Sequence, residues 1–180
     1  MRVVLDACVL FPTVMREMLM GAAKAGLFEP RWSSRILEEW ALAARKIGPE
    51  GETIARGEIA ILSAYWPKAS VPVHQGLEAR LYLPDENDIH VLASAIHSSS
   101  DAIVTMNAKD FPRNILSEEG VERRDPDGFL WALWSDHPDE IQQVADAILN
   151  EARRLSGEDW TMRKLLKKAR LPRLAKALTS

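Results

Sequence analysis

The chain has 180 residues, 47% of them hydrophobic and 27% charged, with a formal net charge of −3, the profile of one soluble domain with enough chain for a sizeable core. Its single cysteine, Cys8, excludes a disulfide framework and any cysteine-rich zinc or iron–sulfur site, and without an apolar run of about 18 residues no membrane span is expected. The acidic average argues at first against a nucleic-acid binder, but it sums unlike parts: residues 151–180 hold nine Lys/Arg against three Asp/Glu, a net +6, and residues 1–150 hold fourteen against twenty-three, a net −9.

The opening MRVVLDACVLF carries an aspartate inside its apolar stretch and lacks a cleavage-type tail, so it does not read as a secretory signal; a cytoplasmic location is expected. Val3-Val4-Leu5 is a short β-branched run that reads as a buried strand ending at Asp6. Pro12 can open a helix in which Val14, Met15, Met18, Leu19 and Ala22 recur at helical spacing, with Gly26 as its stop. Ser33 or Ser34 caps the next helix, which runs to about Ile47 before Gly48-Pro49. A further helix is expected from about Gly51 to Tyr65, stopped by Pro67, and residues 69–73 read as extended. Leu83-Pro84-Asp85 opens a helix through about His97. Residues 98–101 form a turn, residues 102–105 a second buried strand, and residues 106–112 a loop. Later helices are expected over residues 127–134, 138–155, 159–168 and 171–178. Helices alternating with short apolar strands predict an α/β fold with a parallel sheet, followed by a helical C-terminal extension.

In an open α/β sheet, sites form outside the carboxyl ends of the strands. Asp6 follows the first strand, and Asn107 and Asp110 follow the second, so parallel strands place all three on one edge. Two helices offer further acids. With about 100° of rotation per residue, Ile36, Trp40, Ala43, Ala44 and Ile47 define an apolar stripe. Glu39 falls at its border, whereas Glu38 faces solvent, so Glu39 is the better candidate. In Pro84-Asp85-Glu86-Asn87-Asp88-Ile89, Asp85 is suited to the N-cap and Asp88 to the third helical position, a spacing like that of a capping box. Capping accounts for Asp85; for Asp88, capping and metal binding stand equal on spacing. Clustered carboxylates raise one another's pKa and stay ionised together only beside a cation. Oxygen ligands without Cys or His suit Mg²⁺ or Mn²⁺, which polarise a phosphoryl oxygen and activate water.

The stretches VVLDACVLFP, RWSSRILEEW, LPDENDIHVLASAI and DAIVTMNAKDFP resemble the PIN-domain nucleases, particularly the VapC-type toxins of bacterial toxin–antitoxin pairs, over roughly residues 1–135. The resemblance implies a three-layer α/β/α sandwich with a central parallel sheet, a nuclease domain over residues 1–135 and a basic helical extension over 136–180. It implies a Mg²⁺- or Mn²⁺-dependent endoribonuclease whose metal-activated water leaves a 5′-phosphate and a 3′-hydroxyl. The implied catalytic and metal-binding acids are Asp6, Glu39, Asp88 and Asp110. Many relatives carry an aspartate where Asn107 stands, so the fourth ligand lies between Asn107 and Asp110, with Asp110 favoured. Thr105 either hydrogen-bonds a ligand carboxylate or ends its strand, and the latter is favoured. An RNA substrate, a cognate antitoxin and a homodimer are the implied partners.

His90 and His97, seven residues apart, read as boundary residues rather than a metal pair. Cys8 reads as a small core residue, and Trp131 with Trp134 as helix packing. Arg163, Lys164, Lys167 and Lys168 mix with leucines at helical spacing; they suit an RNA backbone, an acidic antitoxin, or a solvated face. Two alternative functions are a catalytically silent PIN scaffold, for which Asn107 speaks, and a Mg²⁺-binding receiver-type signalling domain, which the pattern around Asp88 fits poorly.

Overall fold

The computed structural model describes residues 1–180. Four parallel strands, β1 (Arg2–Leu5), β2 (Glu29–Arg31), β3 (Ala102–Val104) and β4 (Glu122–Arg124), form one sheet in the order β2-β1-β3-β4. Val3 pairs with both Pro30 and Ala102, which fixes the register of β1 against its two neighbours. Val3, Val4, Leu5, Ala102, Ile103 and Val104 are all fully buried, as expected for central parallel strands covered on both faces. The chain passes from β1 to one neighbour and returns to the other side, so the direction of winding reverses between β1 and β3. Their carboxyl ends flank the crevice where such sheets bind ligands.

The parallel α/β fold and the additional C-terminal helices agree with the sequence expectation; the two outer strands add to it. Glu29-Pro30-Arg31 and Glu122-Arg123-Arg124 carry charge, and Pro30 cannot donate to a ladder. Both are edge strands, where charge and proline are tolerated and discourage further pairing. Residues 69–73 contribute only a parallel bridge between Trp32 and Ser70.

The contacts divide the chain into two compact units, Met1–Phe11 with Glu29–Arg124, and Pro12–Phe28 with Asp125–Ser180. The first holds the sheet and α1 (Ala7–Leu10), α3 (Ser34–Ala43), α4 (Gly51–Tyr65), α5 (Gln75–Arg80), α6 (Ile89–His97) and α7 (Arg113–Glu118). Ser33 caps α3 by accepting from the Ile36 N–H at 3.2 Å. The α3 helix tightens into a 3₁₀ turn over Ala44–Ile47, so the single helix expected to Ile47 ends in two geometries. Gly51 opens α4 against the Ala44 carbonyl, which leaves no room for a Cβ. Helix α6 packs on β1 and β3 with Val91, Leu92 and Ala95 buried.

The second unit is helical: α2 (Thr13–Lys24), α8 (Pro126–Asp136), α9 (Pro138–Ser156), α10 (Met162–Lys168) and α11 (Pro172–Leu178). It takes in α2 together with the C-terminal helices, because α8 packs against α2, α9 and α11. Phe28 and Phe129 meet edge to face at 5.1 Å. Asp127 on α8 accepts from the Arg173 and Leu174 N–H groups at 2.8 and 2.9 Å and so caps α11 from outside the helix. Gly157 at φ +69° terminates α9 in the left-handed conformation that favours glycine. No helix is long and apolar enough to cross a membrane.

Candidate functional site

Asp6 leaves β1 at its carboxyl end and caps the short α1, its Oδ1 accepting from the Ala7 N–H at 2.8 Å. Its other oxygen accepts from the Thr105 hydroxyl at 2.8 Å and lies 3.4 Å from the Cys8 sulfur. Thr105 follows β3, so the parallel pairing of β1 with β3 brings the two together across 99 positions of sequence. Thr105 therefore does more than end its strand, correcting the favoured expectation. Its hydroxyl also accepts from the Asn107 N–H at 3.0 Å, which ties the following loop to the strand end. Burial pushes the Asp6 carboxyl above its usual range, opposed by the hydrogen bonds from Thr105, Cys8 and Ala7.

Asp85, Asp88 and Asp110 converge beside Asp6. One carboxylate oxygen from each lies within 4.8 Å of the others. Asp85 caps a 3₁₀ turn over Glu86–Asp88, accepting from the Asn87 N–H at 2.9 Å. That turn, rather than an α-helix, separates Asp85 from α6, so the capping box suggested by the spacing does not form. Asp88 stands before Ile89 with no side-chain cap hydrogen bond, leaving its carboxylate available to a ligand. Burial lifts its pKa to about 6, with the charges of Asp6, Asp85, Asp110 and Glu39 adding to the effect. Asn107 and Asp110 take different parts. The Asn107 amide donates to Asp110 Oδ2 at 2.8 Å and reaches Asp88 Oδ2 at 3.5 Å, so Asn107 bridges two acids while Asp110 belongs to the cluster.

Glu39, on α3, lies outside the group of three but close enough for its charge to raise both Asp6 and Asp88. It accepts from His90 Nε2 at 2.6 Å, and Arg35 approaches it only to 4.0 Å. Glu38, on the solvent side as helix geometry required, is taken up by Arg56 at 2.8 Å. His90 is the residue that the sequence reading missed. Taken as a boundary position, it is buried to 5% exposure. The available signal was its place two residues beyond Asp88 in an otherwise apolar run. His97 instead stacks edge to face on His74 at 5.2 Å. Cys8 is half-buried at the edge of the site, and burial together with Asp6 pushes its thiol up to about 12.

The donor set fits a divalent cation that favours oxygen ligands. It consists of carboxylates, its nearest sulfur is a neutral thiol, and its acids repel one another without a positive partner. A family model described as PIN domain matches residues 2–109. The chain belongs to the PIN-domain family. PIN domains are in general metal-dependent nucleases. The matched span contains Asp6, Glu39, Asp85, Asp88, Thr105 and Asn107 and ends one residue before Asp110. Membership also removes the receiver-domain alternative. No curated protein and no solved structure matches the chain.

The basic residues Arg163, Lys164, Lys167 and Lys168 lie on α10 of the helical unit and are exposed, with the Lys168 ammonium 5.0 Å over the Trp160 ring. Trp131 carries the Arg173 guanidinium on its face at 3.6 Å, which engages that ring in packing within its own unit.

Proposed function

We propose that this PIN-domain protein is a Mg²⁺- or Mn²⁺-dependent endoribonuclease of the VapC toxin type, cytoplasmic and held inactive by a cognate antitoxin. The observation that carries the reading is the convergence of Asp85, Asp88 and Asp110 within 4.8 Å beside the buried Asp6 in a PIN-domain chain. Asp6, Asp88 and Asp110 are assigned as metal ligands, with Asp85 supporting and Glu39 completing the shell or orienting water. The bound cation supplies Lewis acidity toward a phosphodiester and a water of lowered pKa.

The protein's own part is positioning. The Ala7 N–H and the Thr105 hydroxyl fix both oxygens of Asp6, and the Asn107 amide holds Asp110 toward Asp88. Preorganised carboxylates need little rearrangement when the cation and phosphate arrive. A homodimer and contact of Arg163, Lys164, Lys167 and Lys168 with RNA or antitoxin belong to the same reading. The exposed charge of these side chains suits an anionic partner.

The test is incubation of purified protein with end-labelled RNA in Mn²⁺, in Mg²⁺ and in EDTA, with Asp6→Asn as control. Metal-dependent cleavage leaving 5′-phosphate ends, lost in Asp6→Asn, is expected. Tight Mn²⁺ binding with no turnover of any RNA would instead favour the silent scaffold. Undiminished cleavage by Asp6→Asn would overturn the site assignment.

A further inference from the structure

We infer that His90 is a positioning residue whose imidazole N–H fixes the Glu39 carboxylate toward the acidic cluster; the inference rests on the metal-site reading above. Glu39 is over a third exposed and carries three flexible torsions, so left alone it would sample many directions. Its one hydrogen bond comes from His90 Nε2 at 2.6 Å, a short contact between a buried ring and a carboxylate. The ring is anchored by the helix that begins directly after Asp88. Asp88 immediately precedes the helix whose first turn carries His90, so the group that orients Glu39 on α3 lies two positions from Asp88.

The other face of the imidazole supplies the second observation. His90 Nδ1 is buried and has no hydrogen-bond partner. The ring borders a cavity of about 50 Å³ that is also lined by Ser33, Arg35, His74, Glu78 and Ser94. Burying a polar nitrogen without a protein partner costs about 1–3 kcal/mol, and the one other polar side chain that α6 buries among Val91, Leu92, Ala93 and Ala95 is Ser94, whose hydroxyl donates to the His90 carbonyl at 2.9 Å. The imidazole's one protein hydrogen bond goes to Glu39, and orienting that carboxylate is what distinguishes histidine from leucine here.

The test measures Mn²⁺ affinity by titration calorimetry or by loss of the free-ion paramagnetic resonance signal, alongside RNA cleavage and thermal unfolding. His90→Leu is expected to keep its fold and unfolding temperature yet bind Mn²⁺ about tenfold or more weakly, the loss typical when a residue supporting a ligand is removed. His90→Gln, whose amide can donate from the place of Nε2, is expected to bind within about threefold of wild type. Because His90 acts through Glu39, adding His90→Leu to Glu39→Gln should cost nothing further.

Wild-type affinity in His90→Leu, equal loss in His90→Gln, or full additivity with Glu39→Gln would each overturn the inference. Should His90→Leu not fold, His90→Gln is compared with His90→Asn, whose shorter amide stops short of Glu39. Tighter Mn²⁺ binding by Gln supports the role, and equal binding overturns it. A wild-type chain that binds no Mn²⁺ overturns the metal reading and this inference together. Normal wild-type binding with normal Mn²⁺ binding and normal RNA cleavage by Glu39→Gln overturns this inference and the role given to Glu39, and leaves the metal reading at Asp6, Asp88 and Asp110 standing.

Discussion

Asp88→Asn should stabilise the metal-free protein while removing its response to metal. The Asp88 carboxyl is raised from an ordinary 3.8 to about 6 by burial and by the charges of Asp6, Asp85, Asp110 and Glu39. A two-unit rise corresponds to about 3 kcal/mol of unfavourable interaction with the ionised form. Asp88 is only half-buried, and solvent screening reduces this to about 1–2 kcal/mol. Asparagine keeps the shape and removes the charge, and the one hydrogen bond at stake is the long 3.5 Å contact from Asn107. At neutral pH the metal-free variant should therefore unfold about 3–5 °C above wild type. The sign follows from linkage. The folded pKa exceeds the unfolded one, so between about pH 4 and 6 the native state holds more protons, and this group's destabilisation grows as pH rises through that window. Wild type should accordingly gain stability from Asp88 as pH falls from 7 toward 4.5, and the variant should lack that part of the slope. With Mn²⁺ at 100 times its dissociation constant, wild type should gain about 2.7 kcal/mol and Asp88→Asn little. Thermal unfolding followed by fluorescence, after EDTA treatment and with Mn²⁺ restored, measures each quantity. A lower unfolding temperature for the metal-free variant, or an undiminished Mn²⁺ shift, would refute the reasoning.

Thr105→Val removes the hydroxyl that donates to Asp6 and accepts from Asn107. It should cost about 1–3 kcal/mol in urea unfolding and weaken Mn²⁺ binding, with Thr105→Ser restoring most of both. Asp127→Ala deprives the first turn of α11 of its acceptor and should cost about 1 kcal/mol; unchanged stability would show that cap to be inert. Gly51→Ala drives a methyl group into the Ala44 carbonyl oxygen, and should lower the urea midpoint by an amount equivalent to at least about 1–3 kcal/mol.

The parts of the site legible in the sequence are those governed by local pattern. Val3–Leu5 and the residues from Ala102 are β-branched apolar runs, so their carboxyl ends, and with them Asp6 and Thr105, could be placed on one edge. Helical rotation separated Glu39 from Glu38 for the same reason. The role of Thr105 was not legible, because its partner is 99 residues away and depends on the register of β1 against β3. Nor was the role of His90. A histidine at the margin of an apolar stripe has no local mark of burial, and its partner on α3 is 51 residues distant. The release of Asp88 from capping turned on a 3₁₀ turn in place of the first helical turn, a difference of backbone geometry that side-chain spacing does not encode.

The charge distribution gives the acidic cluster its meaning. Elsewhere the fold pairs its acids freely: Glu29 with Arg2 and Arg31, Glu38 and Glu52 with Arg56, Glu119 with Arg80, Glu151 with Arg154. Each of these pairs is exposed and worth little on its own, but together they show that arginines are available to meet carboxylates. Asp6, Asp85, Asp88 and Asp110 form no ion pair, although Asp6 is the one buried acid of the chain and both Asp6 and Asp88 are pushed upward in pKa. A side-chain guanidinium would relieve that repulsion permanently and fill the crevice between β1 and β3. Its absence leaves the repulsion to be relieved by something that can also meet a phosphate. On the proposed reading, part of the −9 carried by residues 1–150 would be a coordination site, and the negative net charge is then compatible with an anionic nucleic-acid substrate.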